Sequence, residues 1–587
     1  MHDTDRGHSL LLSNPVPILA EDALQQPDYQ LGPWQMLAWA RLDRPKQLAD
    51  ELGLDYPRSD AELLCQAWAA WGQAGIQRLY GSFALTAWHE PSRSLHLVVD
   101  HHGSQPLFYY QDEQVVLASP LRQVLLSHPA VPKQLNGLAL AHLLVAKMTD
   151  EPWSAIQAVP GGHHLLLQAG QPPRLTRWWQ PQAEPDLAYR DPRDYAAEAG
   201  ALFAQAVKGL LRSRSGVAST LSGGLDSSLA TTFAAEQLAE QGRTLHSFTS
   251  SPQDGDLSHV MRANWDLDEW PLTCELAKRH ANLIHHRIRP DGSSLLDKLT
   301  RQHANSWNPL RNIANYHWLE QIYRQAAELD CPVLLTGARG NASLSYAGHG
   351  GQARLLPQGH WRWAWQHLMA HPVGSRLWLV QLADLLGVGK TLRQWRAPEQ
   401  TADQAPPWLA HALLTRVDYH FPSNPFPLWA DRVDFLTKSR PPYGLNTLWQ
   451  QGVLSVDPFS DRALMEQLLR YPPEAYVGLG HQRLLARLVG EGRVPDSIRL
   501  RSRRGEQAPD ESLWMREQAN HYRAQWRQLR ALPDLALLLD LDQVDRLLDS
   551  CTSEPVAKHQ SFALHRILGT ALFYAQARAS WQADLTF

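Results

Sequence analysis

The segment Val217-Ala218-Ser219-Thr220-Leu221-Ser222-Gly223-Gly224-Leu225-Asp226-Ser227-Ser228-Leu229-Ala230 constrains this chain more than any other. A short apolar run stops at Ser-Gly-Gly. Asp226 and two serines then open a stretch with Leu229, Ala230, Phe233, Ala234 and Leu238 on one side. Strand, tight glycine turn and helix N-terminus follow one another within about 20 residues. Two adjacent glycines let a backbone bend sharply and approach a ligand with no Cβ in the way. The N–H groups of such a turn, with those of the first helical turn, form a nest for an anion. Ser222, Ser227 and Ser228 add hydroxyl donors, and Asp226 supplies a carboxylate suited to Mg²⁺. The stretch reads as a pyrophosphate cradle.

A bare Gly-Gly turn before a helix would signify only a tight βα connection. The full Ser-Gly-Gly-Leu-Asp-Ser-Ser resembles the PP-loop of the ATP pyrophosphatases, which split ATP between the α and β phosphates to adenylate an oxygen. A second glycine-rich stretch, Gly387-Val388-Gly389-Lys390-Thr391, does not fit a Walker loop. That loop needs glycine at 384, where Asp384 stands, and a strand before it. A helix-ending loop is expected there.

At 587 residues the chain should hold two or more domains. Its net charge of −4 offers no basic footprint for nucleic acid. Cys65, Cys274, Cys331 and Cys551 are scattered, with no CxxC pair and no zinc spacing. That usage fits a reducing cytoplasm, with the cysteines as small buried hydrophobes. Met1-His-Asp-Thr-Asp-Arg6 has no apolar signal core, and no uncharged run reaches about 18 residues. A soluble cytoplasmic protein with no membrane partner is expected.

Residues 1 to about 60 are punctuated by prolines and expected to be irregular. Asp60–Trp71 has helical spacing and ends at Gly72. Short alternating runs follow at 81–88, 95–99, 107–110 and 115–118, and Val159-Pro-Gly-Gly-His163 with Leu165–Leu167 suggests another hairpin. An antiparallel β-rich domain should end near Trp178-Trp179, before a linker at 180–186. Within it, Gly81-Ser-Phe-Ala84, Asp100-His-His-Gly-Ser-Gln-Pro-Leu-Phe-Tyr109 and Ala118-Ser119 are similar to the amidotransferase domain of asparagine synthetase. With the PP-loop, that resemblance covers nearly the whole chain. It implies an α+β, Ntn-hydrolase-like domain of class II glutamine amidotransferase type over 1–185. Over 186–587 it implies an α/β PP-loop ATP pyrophosphatase domain of the adenine nucleotide alpha hydrolase-like kind. The family's glutaminase uses an N-terminal cysteine, uncovered by loss of the initiator methionine. Position 2 here is His2, and the first cysteine is Cys65 on an expected helix. Imidazole cannot do thiolate chemistry, so the domain is expected to be a scaffold without ammonia production. His-His pairs at 101–102, 163–164 and 285–286 are not expected to bind metal, because neighbours in a strand face opposite ways.

From about 190 the pattern turns α/β. A helix over Tyr195–Lys208 precedes the PP-loop strand, and Thr244–Thr249 reads as a second parallel strand. The resemblance implies that its end contacts adenine through Phe248, Thr249 or Ser250. A helix begins at Glu269-Trp270, and a third strand spans His285–Ile288. The next helix carries Pro309, Arg311, Asn312, Asn315 and Trp318. Pro332–Thr336 is a buried strand, and Gly337-Ala-Arg-Gly-Asn-Ala-Ser-Leu-Ser-Tyr346 lies at its carboxyl end, where open parallel sheets bind ligands. Asparagine synthetases carry Ser-Gly-Glu-Gly-Ser-Asp-Glu in this loop, and its aspartate binds Mg-pyrophosphate. Aligned on Gly337, the glutamate falls on Ala338 and the aspartate on Asn341. Ala338 also excludes the catalytic tyrosine of β-lactam synthetase. The loop is similar instead to that of the lasso-peptide cyclases, relatives that close a macrolactam. That likeness implies Asn341 as a second Mg²⁺ ligand beside Asp226, and Arg339 beside Gly337 as a counter-charge to phosphate.

A helical insertion is expected over about 345–440. Trp361 and Trp365 share a helical face there. Core packing is the first reading of that face, and a surface for an aromatic peptide or a partner protein the second. Gly452–Asp461 matches the family's Gly-Val-Glu-Ala-Arg-Val-Pro-Phe-Leu-Asp, with Leu454 and Val456 replacing its Glu and Arg. Val494–Gln507 matches the Arg-x-Lys segment whose lysine stabilises the adenylation transition state. The lysine corresponds to Arg503, which keeps the charge and adds a fork for phosphate. The bland reading of the same segment is a solvated basic turn.

The expectation is an ATP- and Mg²⁺-dependent lasso-peptide macrolactam synthetase with Arg503, Asp226 and Asn341 as its catalytic residues. An Asp or Glu side chain of a precursor peptide is adenylated, the peptide's N-terminal amine displaces AMP, and pyrophosphate is released. A metabolic asparagine or β-lactam synthetase is the first alternative. His2 opposes asparagine synthesis, and Ala338 and Leu454 oppose both. An inactive peptide-binding scaffold is the second, opposed by the complete PP-loop. No leader-binding module is visible, so a leader-peptide-binding or protease partner should deliver the precursor.

Overall fold

The computed structural model describes residues 28–147, 150–168, 171–182, 184–185, 187–188, 190–349, 351–388, 405–419, 429–437 and 451–587. The N-terminal expectations up to residue 27, residues 389–391 and much of the expected insertion lie outside them.

Residues 28–60 are ordered, contrary to expectation. Strands Tyr29–Leu31 and Trp34–Leu42 form a hairpin, and helix Pro45–Leu52 follows. Its prolines sit where they do no harm: Pro33 in the hairpin turn beside Gly32 at φ 58°, and Pro45 at a helix start. These strands begin a six-stranded antiparallel sheet. It continues through Gly81–His89, Ser94–Val99, His163–Gln168 and Arg174–Arg177. The second hairpin therefore pairs 163–168 with 174–177, not with 159. The Val159–Gly162 loop packs on the 102–103 turn instead, where a Cβ at Gly161 would lie 2.8 Å from the Gly103 nitrogen. A smaller sheet joins Val116–Ser119, Phe108–Gln111 and Gln157–Ala158.

The second half carries a five-stranded sheet of parallel strands. Its order is Leu283–Ile288, Leu245–Ser250, Val217–Thr220, Val333–Leu335, Leu454–Val456. Alternation along the strands feeds both faces. Ala218 and Leu334 join Phe248, Ile322 and Tyr323 on one side, while Val217, Val333 and Leu335 meet Phe203, Leu229 and Phe233 on the other. Chain order reverses between Val217–Thr220 and Val333–Leu335. The crevice at such a switch point is where doubly wound sheets bind ligands.

The two halves share cores. Met36 and Phe83 pack in one cluster with Tyr195 and Phe233, and Phe108 and Trp153 in another with Ile567 and Phe573. Strand Asp584–Thr586 also pairs in parallel with Gln134–Asn136. Helices Trp361–Met369 and Arg376–Leu385 surround a small core of Leu355, Ala364, Leu368 and Leu385, and the latter helix runs out at Gly387, φ 75°. Trp361 and Trp365 are 67% and 63% exposed, so core packing does not account for them. Among the described residues no helix is long and apolar enough to cross a membrane.

Candidate active site

The strand Val217–Thr220, the turn Ser222–Gly224 and the helix Leu225–Glu240 occupy the switch point. The serines differ from expectation. Ser227 Oγ accepts the Ser222 N–H at 3.0 Å and lies 2.8 Å from Ser222 Oγ, while the Ser228 hydroxyl donates to the Ser222 carbonyl at 3.2 Å. The Gly224 N–H donates to Ser222 Oγ at 3.2 Å. These hydroxyls lock the turn and leave phosphate to the backbone amides of the first helical turn. Gly223 has close neighbours that the sequence hides. A Cβ there would lie 2.8 Å from Glu269 Oε1 and closer still to Arg501 Nη1. Gly224 faces the cavity, exposed.

Asp226 lies under the loop that follows Val333–Leu335. Its carboxylate accepts the Ser345 hydroxyl, and the loop turns tightly through Ser343 and Ser345 N–H bonds to the Gly340 carbonyl, each 3.0 Å. A Cβ on Gly340 would lie 2.6 Å from Asp226 Cβ and closer to its carboxyl carbon. A Cβ on Gly337 would likewise lie 2.8 Å from the Ser227 nitrogen. Asn341 is exposed on the same cavity. Burial pushes the Asp226 carboxyl above its ordinary range, opposed by the Ser345 hydroxyl and the Arg483 guanidinium. Arg483, at φ 58°, thus brings a cation to Asp226 across 257 positions of sequence. A second carboxylate, Asp457, accepts the Arg339 N–H at 2.8 Å and the Phe459 N–H at 3.0 Å. Burial raises it to about 6. Neither Arg483 nor Asp457 was expected. The signal for Asp457 is a charge where the family pattern has valine; Arg483 has none in its neighbourhood.

The two arginines of the 501–503 segment have distinct places. Arg501, 7% exposed, donates to the Gly223 carbonyl at 2.9 Å and to Glu269 Oε1 at 2.6 Å, and pairs with Asp266. It forms the back wall of the PP-loop. Arg503 is half exposed and donates from Nε to Asp266 Oδ1 at 2.6 Å and from Nη2 to the Trp265 carbonyl at 2.9 Å. Burial raises the Asp266 carboxyl, but its two guanidinium partners outweigh that and hold it below the usual range. Arg503 lines the cavity, yet its Nε and Nη2 are taken up by Asp266 and the Trp265 carbonyl.

Two further expectations change. Phe248 is fully buried, its ring stacked on His286, so its side chain does not reach a nucleotide. The Thr249 hydroxyl donates to the Leu221 carbonyl at 2.6 Å, which leaves backbone and Ser250 at the strand end. The Arg339 guanidinium, expected as a counter-charge to phosphate, lies against the His102 imidazole of the N-terminal half, 2.6 Å from Nδ1. His101 and His102 occupy a turn rather than a strand, with ring centroids 4.6 Å apart.

One cavity of about 2040 Å³ connects these groups. It runs from Ser222–Ser227, Asn341 and Arg483 past exposed Arg311 to Gly81, Gly103 and Trp153 of the N-terminal half. None of the four thiols lines it: Cys65, Cys331 and Cys551 are buried, and burial raises all four above the ordinary thiol range. The oxygen donors at the PP-loop end of this cavity, the half-buried Asp226 carboxylate and the exposed Asn341 amide, fit a hard cation such as Mg²⁺.

A family model described as the glutamine amidotransferase domain matches residues 46–179, and one described as asparagine synthase matches 198–408 and 452–575, more than half of the chain. These matches follow the two halves of the fold. The glutamine-hydrolysing asparagine synthetase 3 of Bacillus subtilis (strain 168) is 25% identical over 246 residues, 41% of this chain and 39% of that protein. The glutamine-hydrolysing asparagine synthetase 2 of the same organism is 30% identical over 208 residues, 32% of this chain and 27% of that protein. The chain thus spans about two fifths or less of the length of these relatives. Among solved structures, the glutamine phosphoribosylpyrophosphate amidotransferase from B. subtilis, complexed with ADP and GMP, is 13% identical and covers 44% of this chain and 62% of its own. Its TM-score of 0.19 carries no argument.

Proposed function

We propose that this chain, which belongs to the asparagine synthase family, is an ATP-dependent, AMP-forming amide ligase whose substrate is a peptide: a macrolactam synthetase of the lasso-cyclase type. The observation that carries the peptide reading is the cavity. At about 2040 Å³ it is at least twice the roughly 300–1,000 Å³ that suits a small molecule. ATP takes the PP-loop end of such a space, and a peptide segment makes use of the remainder, which free aspartate would leave largely open.

Adenylation converts a carboxylate oxygen into part of a good leaving group, AMP, which an amine then displaces. In this reading the PP-loop amides take the pyrophosphate, and Arg483 beside Asp226 meets the charge that grows on it. Arg501 holds the turn from behind. A Mg²⁺ held by Asp226 and Asn341 neutralises phosphate charge when bound. The walls contributed by both halves exclude water from the acyl-adenylate and hold the peptide amine near it. A cytoplasmic leader-binding or protease partner supplies the peptide, and exposed Trp361 and Trp365 offer such a partner an apolar contact.

The names of the relatives favour a second reading, synthesis of asparagine from aspartate with glutamine as nitrogen source. Substrate dependence separates the two. Under the peptide reading, ATP–pyrophosphate exchange requires the precursor and ignores aspartate. Precursor labelled with ¹⁸O in its Asp or Glu side chains should give labelled AMP and a product lighter by one water. Unlabelled AMP, or ADP in its place, overturns the acyl-adenylate; exchange driven by aspartate alone overturns the peptide.

A further inference from the structure

Three side chains meet at the back of the 336–346 loop, and two of them stand where the asparagine synthetase pattern has something else. Arg339 replaces the second glycine of that loop, and Asp457 replaces the valine of the Gly452 segment. The third, His102, belongs to the Asp100–Gly103 turn of the N-terminal half.

The contacts run in series. Asp457 accepts the Arg339 N–H at 2.8 Å, which fixes the loop from the synthetase side. The Arg339 guanidinium lies against the His102 imidazole, Nη1 2.6 Å from Nδ1 and 2.9 Å from Nε2. His102 is 1% exposed and cannot yield. Its turn is held by Asp100, which accepts the N–H groups of His102 at 2.9 Å, Ser104 at 3.1 Å and Phe83 at 3.1 Å. His101 Nε2 sits 2.9 Å from the Ser460 carbonyl, a second tie between the halves. The residue after Arg339 is Gly340, whose Cα packs on Asp226 with no room for a Cβ. Any shift of Arg339 is therefore passed directly to Asp226 and Asn341.

We infer that His102 is a positioning residue for the amide-forming site, acting through Arg339 to fix Gly340 and Asn341 against Asp226. The N-terminal half then has a duty that needs no ammonia production. The inference rests on the proposed function, in which Asp226 and Asn341 serve ATP.

The test uses the full chain as H102A, H102Q, R339Q and H102A/R339Q. Peptide-dependent ATP–pyrophosphate exchange should lose about 10–100-fold in kcat in H102A, the scale of a sub-ångström to 1 Å misplacement. KM for ATP should stay within about 3-fold. Glutamine can bond to the guanidinium through its amide oxygen, so H102Q should recover most of the loss. The double variant should be no slower than R339Q, because both act along one path. Wild-type kcat in H102A, or additive losses in the double variant, overturns the inference. Hydrogen exchange at 337–346 reads the brace without any activity: it should quicken in H102A and remain slow in H102Q, with 217–220 unchanged. Equal exchange in wild type and H102A also overturns it. A wild-type chain with no peptide-dependent exchange sinks the proposed function alone, and the amide data still decide the brace. Should H102A fail to fold by circular dichroism, H102Q against R339Q carries both measurements, and H102Q as slow as R339Q overturns the inference.

Discussion

Replacing Gly340 by alanine isolates the contact on which the site depends. Gly340 does not occupy the left-handed region, so alanine is allowed by its backbone and the effect is steric. The new Cβ would stand 2.6 Å from Asp226 Cβ and nearer its carboxyl carbon, whereas carbons pack best at about 3.5–4.0 Å. Something must therefore move by roughly 1 Å, and both candidates are functional: the loop bearing Asn341 or the carboxylate of Asp226. Overpacking of this kind costs about 1–3 kcal/mol in stability. Misplacement by about 1 Å costs on the order of 10² in rate. We therefore expect G340A to fold, with a slightly lower unfolding midpoint, and to lose about two orders of magnitude in peptide-dependent ATP–pyrophosphate exchange. Gly200 serves as the control. A Cβ there would find only Val489 at 3.6 Å, an ordinary contact, so G200A should leave the rate intact. A G340A protein within 3-fold of wild type would refute the claim that the loop and Asp226 are locked together.

Arg483→Ala should reduce adenylation by about 10²–10³, the scale for losing one preorganised charge at the transition state. Arg503→Ala should reduce it less than Arg483→Ala unless ATP draws Arg503 away from Asp266, and comparing the two rates decides which arginine serves phosphate. Glutamine should release no glutamate above a boiled-enzyme control, because no thiol of the chain lines the cavity and burial keeps Cys331 and Cys551 at about 12. Two histidines, half-buried His96 and buried His164, should cost the fold stability in acid. Burial, helped by His164 and His89 at His96 and by Arg174 at His164, holds both imidazoles at about 4 when folded, against 6.5 when unfolded, so between about 6.5 and 4 these two groups take up protons in the unfolded chain only. From pH 6.5 to about 4 the melting temperature of H96F/H164L should therefore shift upward relative to wild type, and a pH-independent difference would refute the assignment.

What was legible in the sequence is what is local. The PP-loop announces itself because strand, turn and helix are contiguous, and the switch-point placement follows from the alternation of strands and helices. The use made of each atom is not local. Ser227 and Ser228 look like phosphate donors until the turn closes and their hydroxyls find Ser222. Gly223 looks like a ligand-facing glycine until Arg501 and Glu269 arrive behind it. Phe248 sits at the expected strand end, but strand parity turns its ring into the core. Arg483 reaches Asp226 only through the tertiary fold, and no spacing rule links them. The early prolines misled in the opposite direction, because Pro33 and Pro45 mark a turn and a helix start rather than a lack of structure.

The parallel pairing of Asp584–Thr586 with Gln134–Asn136 has a consequence in time. Thr586 Oγ1 donates to the Leu135 carbonyl across 451 positions at 3.0 Å. A ribosome adding about 5–20 residues per second needs roughly 20–90 s to pass from one partner to the other. Throughout that interval 134–136 can pair with 152–154 but not on its other side, and Leu135, Leu140 and Trp153 lack the apolar cover that Ile567 and Phe573 later bring. The half that is synthesised first is thus completed last. A nascent chain stalled before residue 560 should display a sticky, unfinished amidotransferase-like half, a substrate for chaperones rather than an early-folding domain.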